Sequence, residues 1–159
     1  MKKKNLKRRR ENILIVDDDK DLLDKFREIL ELEGYSVETA LNGGDALKKL
    51  DKKAYNLALI DIRLPDMEGT ELLSEIKDTL PKMVKIIITG YPSLENAVAA
   101  LNKGADGYII KPILNIDELI KTIKEHLEKQ ALDKRYTREK VEEYIQTRAK
   151  QLEQEIAED

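Results

Sequence analysis

The segment Ile13-Leu14-Ile15-Val16-Asp17-Asp18-Asp19 sets four aliphatic residues directly before three acids. A short unbroken aliphatic run suits a strand buried on both faces, and such strands belong to parallel sheets covered by helices. Three further runs share the pattern: Leu57–Ile60, Lys85–Thr89 and Tyr108–Ile110, with a weaker one at Ser36–Thr39. Helical spacing fills the gaps. Leu22, Leu23, Phe26, Ile29 and Leu30 form one stripe, and Gly34 stands where a helix stop is expected. A short helix is expected at Asp45–Leu50 after Asn42-Gly43-Gly44, and another at Thr70–Asp78 before Pro81. Ser93–Lys103 carries Leu94, Ala97, Val98 and Leu101 between a capping Ser93 and a stopping Gly104. Asn115 with Glu118 three residues on opens the last helix, where Leu119, Ile120, Ile123 and Leu127 recur. Five strands alternating with five helices predict an α/β, doubly wound parallel sheet with helices on both faces.

Composition narrows the chemistry. The 159 residues include no Cys, which excludes a disulfide scaffold, a thiol nucleophile and a Cys-ligated metal centre. A single histidine, His126, excludes a multi-histidine metal site. It sits among charged residues and is expected to be an exposed helix residue. No apolar run approaches membrane-spanning length, so no membrane insertion is expected and a cytoplasmic location is the default. The net charge of −3 is unevenly spread. Residues 1–10 hold seven basic groups and no acid, and residues 11–115 hold 13 basic and 20 acidic groups. The first ten residues read as a flexible basic tail. Without interleaved aromatics, and with an acidic body behind it, the tail argues against a nucleic-acid partner.

In a doubly wound sheet, functional groups gather beyond the carboxyl ends of the strands. Here those places hold Asp17-Asp18-Asp19, Asp61, Thr89-Gly90 and Lys111-Pro112. Clustered carboxylates either share protons or bind a cation, and an oxygen-only donor set favours a hard ion such as Mg²⁺. A lysine and a threonine hydroxyl beside such an ion suit a phosphoryl group, and an aspartate can itself become the acyl phosphate. Asp19 is expected to cap the first helix instead of ligating.

The runs Ile13–Asp19, Leu59–Gly69 (Leu-Ile-Asp-Ile-Arg-Leu-Pro-Asp-Met-Glu-Gly), Ile86–Gly90 and Gly104–Pro112 (Gly-Ala-Asp-Gly-Tyr-Ile-Ile-Lys-Pro) closely resemble the receiver domain of two-component response regulators, the CheY-like family. The resemblance covers about residues 12–130 and includes each site motif in order. It implies a flavodoxin-like five-stranded sheet of order 2-1-3-4-5. It implies that Asp61 accepts a phosphoryl group from a histidine kinase or phosphotransfer protein. Mg²⁺ would be held by Asp17, Asp18, Asp61 and the backbone carbonyl of Arg63. Thr89 and Lys111 would bind phosphoryl oxygens, the Lys111–Pro112 bond would be cis, and Tyr108 would act with Thr89 as a switch. Arg63 and Tyr91 stand where the family varies, and a cation and a ring at the site mouth are expected to slow dephosphorylation. Such a receiver catalyses only its own phosphorylation and dephosphorylation.

Two other readings compete. An aspartyl-phosphate phosphatase usually carries a second acid two residues after its nucleophile, where this chain has Arg63. A degenerate receiver serving only as a docking or dimerisation module would not need the full set of Asp17, Asp18, Asp61, Thr89 and Lys111. The chain divides into a tail (1–10), a receiver (11–130) and a helical extension (131–159). Residues 113–159 contain no Gly and one histidine but no proline, so the last helix is expected to run on past the domain. Its apolar positions thin to Leu132, Tyr136, Val141, Tyr144, Ile145, Leu152 and Ile156, with Arg148 interrupting the seam. The extension reads equally as a coiled-coil dimer, a helical connector toward an output domain, or a separate helix folding back; the face of the fourth helix, fifth strand and fifth helix is the other surface open to a homodimer.

Overall fold

The computed structural model describes residues 10–77, 79 and 82–158, with the side chains of 134–137 excepted. The strands are β1 (Asn12–Val16), β2 (Ser36–Ala40), β3 (Leu57–Asp61), β4 (Val84–Thr89) and β5 (Gly107–Ile110). The helices are α1 (Lys20–Leu32), α2 (Gly43–Lys52), α3 (Gly69–Glu75), α4 (Leu94–Asn102) and α5 (Ile116–Glu158). All pairings are parallel and the sheet order is β2-β1-β3-β4-β5. β1 lies between β2 and β3, with Val16 opposite both Ala40 and Ile60. The chain therefore reverses its winding at β1, and the carboxyl ends of β1 and β3 come side by side.

Alternation along each strand builds two cores. Ile13, Ile15, Leu57, Leu59, Ile86 and Ile88 point to the face covered by α1 and α5, where Phe26, Leu30, Leu119 and Ile123 meet them. Leu14, Val16, Ala58, Ile60 and Ile87 point to the opposite face, against Ala46, Leu72, Leu73 and Ala100 of α2, α3 and α4. Strands buried on both faces have no polar side, which is why they read as unbroken aliphatic runs.

Several helix limits follow the expected signals. Asp19 caps α1 by accepting from the Leu22 N–H at 3.2 Å, Ser93 caps α4 through the Asn96 N–H at 3.0 Å, and Asn115 caps α5 through the Glu118 N–H at 3.2 Å. Gly34 and Gly104 take φ of 99°, a left-handed conformation that glycine adopts without steric cost. Two helices differ from expectation. α2 starts at Gly43, two residues early, because Asn42 supplies the cap and the N–H groups of Gly43 and Gly44 both donate to Asp66 at 2.9 Å. α3 ends at Glu75, where Ile76 leaves the helix with extended backbone and packs on the core. The expected end at Asp78, and Pro81 beyond it, lie outside the described residues.

Two expectations about side chains are corrected. His126 is half-buried, not exposed: its Nδ1–H donates to the Thr122 carbonyl at 2.8 Å, and the ring lies over Gly107, where a Cβ would come within 3.7 Å of Nε2. The apolar positions of α4 do not all face inward, since Leu94, Val98 and Leu101 are exposed and only Ala100 is fully buried.

α5 spans 43 residues, about 64 Å at 1.5 Å per residue. Its first turns pack on the sheet through Leu119, Ile123 and Leu127. Gln130 is the last buried side chain along it among the described residues, and from there Leu132, Val141, Tyr144, Ile145, Leu152 and Ile156 are exposed. The side chain of Tyr136, and the basic tail apart from Arg10, lie outside the described residues. No helix among the described residues is long and apolar enough to cross a membrane.

Candidate functional site

Four of the five strand ends deliver one group each to the same rim. The last residue of β3 is Asp61, and β1 is followed immediately by Asp17, whose N–H is fixed by the Ala40 carbonyl at 3.1 Å. β4 ends in Thr89, fully buried, and β5 is followed by Lys111. The Lys111 N–H donates to the Thr89 carbonyl at 2.7 Å, and the Lys111–Pro112 bond is cis.

The Lys111 ammonium joins the two buried acids. Nζ lies 2.6 Å from Asp17 Oδ2 and 3.3 Å from Asp61 Oδ2. Asp17 also accepts from the Asp19 N–H at 2.9 Å, and Asp61 from the Arg63 N–H at 3.4 Å. Burial, followed by the nearby Asp17 charge, pushes the Asp61 carboxyl above the ordinary aspartate range; Lys111 and the Arg63 N–H oppose this only in part. Burial works against the Lys111 ammonium, but its hydrogen bond to Asp17 and the two carboxylate charges carry it above the ordinary lysine value. One ammonium thus serves two carboxylates, and the electrostatic deficit is one of positive charge.

Asp18 is exposed beside them. One oxygen each from Asp17, Asp18 and Asp61 lies within 4.8 Å of the others, so the three could hold a metal ion. The donors are all carboxylate oxygens, which suits a hard divalent cation, and the ammonium already seated between two of them shows that the pocket attracts positive charge.

Thr89 Oγ1 accepts from the Tyr91 N–H at 3.0 Å. Tyr91 is exposed, and its ring lies 4.0 Å from the Arg63 guanidinium carbon. The two sequence-flagged residues after Asp61 and Thr89 therefore stack on each other. Tyr108 is half-buried, and its hydroxyl is buried with no hydrogen-bond partner among the described residues. Asp19 serves as a cap, as its sequence position implied.

Two further supports went unread in the sequence. Gly69 passes so close to the strand that an added Cβ would lie 2.2 Å from the Asp61 carbonyl oxygen, and its N–H donates to the Ile62 carbonyl at 2.6 Å. Only glycine fits there, and a side chain would displace the backbone of Asp61. Asp66 ties the loop after Asp61 to the start of α2, and the Gly43 and Gly44 N–H groups hold its carboxyl below the ordinary range. Both residues stand in the run after Asp61, so the signal was present but its long-range partner was not.

Comparisons with known proteins agree with this geometry. Residues 13–124 match the family described as the response regulator receiver domain. A CheY-like receiver domain protein from Methanospirillum hungatei is 52% identical in a superposition covering 79% of this chain and 99% of that one, at a TM-score of 0.75. The response regulator TrrA from Thermotoga maritima, solved with Mg²⁺ and a beryllium fluoride, is 34% identical over 73% of this chain and 98% of that one, at a TM-score of 0.65. The transcriptional regulatory protein ZraR of Klebsiella oxytoca is 43% identical over 116 residues, 73% of this chain and 26% of the relative. The chain thus spans about a quarter of the length of the curated relatives it matches. Sheet order, strand-end chemistry and a match across most of the chain converge: this protein belongs to the response regulator receiver domain family.

Proposed function

We propose that the chain is a phosphorylation-operated switch in which Asp61 accepts a phosphoryl group from a phosphohistidine of a histidine kinase or phosphotransfer protein. The observation that carries this reading is the convergence of Asp17, Asp61 and Lys111 in one ion-paired cluster, with Asp18 and Thr89 at its edge. An Asp61 oxygen bonds to phosphorus while the bond from phosphorus to the donor's ring nitrogen breaks, and that electron pair stays with the nitrogen. Asp17, Asp18, Asp61 and the Arg63 backbone carbonyl would hold Mg²⁺, which would supply the positive charge that the phosphoryl oxygens require. Lys111 binds one of those oxygens. The Thr89 hydroxyl, which only accepts in its present hydrogen bond, keeps its proton to donate to another. Apart from this self-phosphorylation and its reversal, the chain turns over no substrate.

The readout follows from Thr89 and Tyr108. A buried hydroxyl without a partner costs about 1–3 kcal/mol, so the Tyr108 ring has reason to hold a second position once Thr89 shifts. Arg63 and Tyr91 tune the phosphoryl lifetime by covering the mouth. The receiver spans 11–130 in a cytoplasmic protein, and 131–159 is an extension. Self-association uses either the exposed stripe of α5 or the apolar surface of α4 and β5, where Leu94, Val98 and Ile110 are exposed.

The test is mass spectrometry after incubation with a small phosphodonor and Mg²⁺. One phosphoryl adduct is expected on the parent chain and none on Asp61→Asn. No adduct on the parent, or an equal adduct on the variant, would overturn the reading.

A further inference from the structure

A second cationic site lies away from the phosphoacceptor rim. β2 is an edge strand, flanked by α1 on one side and α2 on the other. Between them is a cavity of about 400 Å³ lined by Arg27, Lys49, Lys52, Lys53, Glu38 and Tyr55. None of these residues belongs to the Asp61 cluster.

The charges at this cavity do not balance. Four cations arrive from α1, α2 and the residue after α2, yet Glu38 is the one carboxylate of the lining. Glu38 is already engaged, accepting from the Tyr55 hydroxyl and pairing with Lys53 at 3.4 Å. Arg27 pairs outward with Glu31 at 2.8 Å. Lys49 donates to the Thr39 carbonyl, which holds its ammonium against the wall without neutralising it. Lys52 has no ion-pair or hydrogen-bond partner among the described residues. This surplus of positive charge sits on a body whose residues 11–115 hold 13 basic and 20 acidic groups, so it is local and not a general property of the surface. Tyr55 is buried and forms a rigid floor.

From this juxtaposition we infer that the cavity between α1, β2 and α2 binds a small ligand carrying a diphosphate or longer phosphate chain. With Lys53 matched by Glu38 and Arg27 by Glu31, the surplus is the two charges of Lys49 and Lys52, which two linked phosphates can pair one to each. The volume falls within the range of small-molecule sites. Lysines from α2 lying beside the edge strand can instead serve only to shield it from strand pairing, and that role predicts no saturable binding.

The experiment titrates the full chain, without Mg²⁺ and at constant ionic strength, with inorganic tripolyphosphate and in parallel with ATP. Binding is followed by amide chemical shifts and by calorimetry. The expected result is saturable one-to-one binding, with shifts centred on β2 and the second half of α2. Lys52→Gln with Lys53→Gln, both exposed, is expected to weaken it about tenfold or more. Asp61→Asn is expected to bind like the parent, which separates this site from the phosphoacceptor. Equal affinities would assign the phosphate chain alone, and tighter ATP binding would assign a nucleotide; either upholds the site. Non-saturable shifts, an unchanged affinity in the folded double variant, or loss of binding in Asp61→Asn would overturn it.

Discussion

The Arg63 guanidinium lies 4.0 Å from the centre of the Tyr91 ring, and the two residues stand two positions after Asp61 and Thr89, where the proposed function has them shield the phosphoryl group. A cation over a ring at an exposed site contributes about 0.5–1 kcal/mol. Arg63→Ala and Tyr91→Ala are therefore each expected to shorten the phosphoryl lifetime by about two- to fivefold. Because each loses the same contact, the double variant should resemble the singles. Unchanged lifetimes, measured by decay of the phosphoprotein, would exclude shielding. A second single-residue effect concerns Glu38. Its carboxyl is held below the ordinary value of 4.5, first by the Tyr55 hydrogen bond and then by the Lys53 and Lys49 charges against a burial cost. A depressed acid stabilises the fold above its unfolded value and loses that contribution as pH falls through the folded one. Glu38→Gln keeps an acceptor for Tyr55 but removes the charge. Its cost should be under about 1 kcal/mol at pH 7, because the side chain is more than a third exposed, and should vanish toward pH 3. Thermal melts across that range decide it; a cost independent of pH would mean that the charge contributes nothing.

Gln130 fixes the long helix to the far end of the sheet. Its amide donates to the Asn56 and Lys82 carbonyls, both at 2.9 Å, and accepts from the Asn56 side chain at 3.3 Å. Gln130→Ala removes the hydrogen bonds to the Lys82 carbonyl and the Asn56 side chain, while the Asn56 carbonyl keeps the Val84 N–H at 3.0 Å, and is expected to cost about 1–3 kcal/mol in urea unfolding, with faster amide exchange in α5 around Leu127. An unchanged unfolding midpoint would show that water replaces the amide at no cost. This anchor shows where sequence reading stops at the element scale. The strands were legible because parallel strands carry a two-sided aliphatic signal, and the rim was legible because Asp17, Asp61, Thr89 and Lys111 each directly follow or end such a run. Gln130 could not be read, since its partners lie 48 and 74 positions away in sequence. The early start of α2 was hidden for the same reason: Asp66, 23 positions on, satisfies the N–H of Gly43. The half-burial of His126 comes from its packing beside Gly107 on β5, 19 positions earlier in the chain. Local pattern carries capping and strand burial, whereas contacts closed by tertiary packing leave no local trace.

At the scale of the molecule, a balanced two-core domain carries a helix that outruns it. Val141, Tyr144, Ile145, Leu152 and Ile156 are all exposed, on a segment without a covering layer among the described residues. In proteins a helix gains most of its stability from packing an apolar stripe. The stripe recurs at spacings of three and four, with Ala149 filling the step between Ile145 and Leu152. Removing residues 132–159 takes away none of the buried core among the described residues and leaves Gln130 in place, so the shortened chain should keep its melting temperature within a few degrees and accept phosphoryl groups as fast as the parent. If α5 carries self-association, the full chain should sediment as a dimer at tens of micromolar and the shortened chain as a monomer. Should both dimerise, with Val98→Glu abolishing it, the surface of α4 and β5 is the contact, because Val98 is exposed there and a charge would be buried against the partner. Monomers throughout, with and without a phosphoryl mimic, would remove self-association from the proposed function while leaving the chemistry at Asp61 untouched.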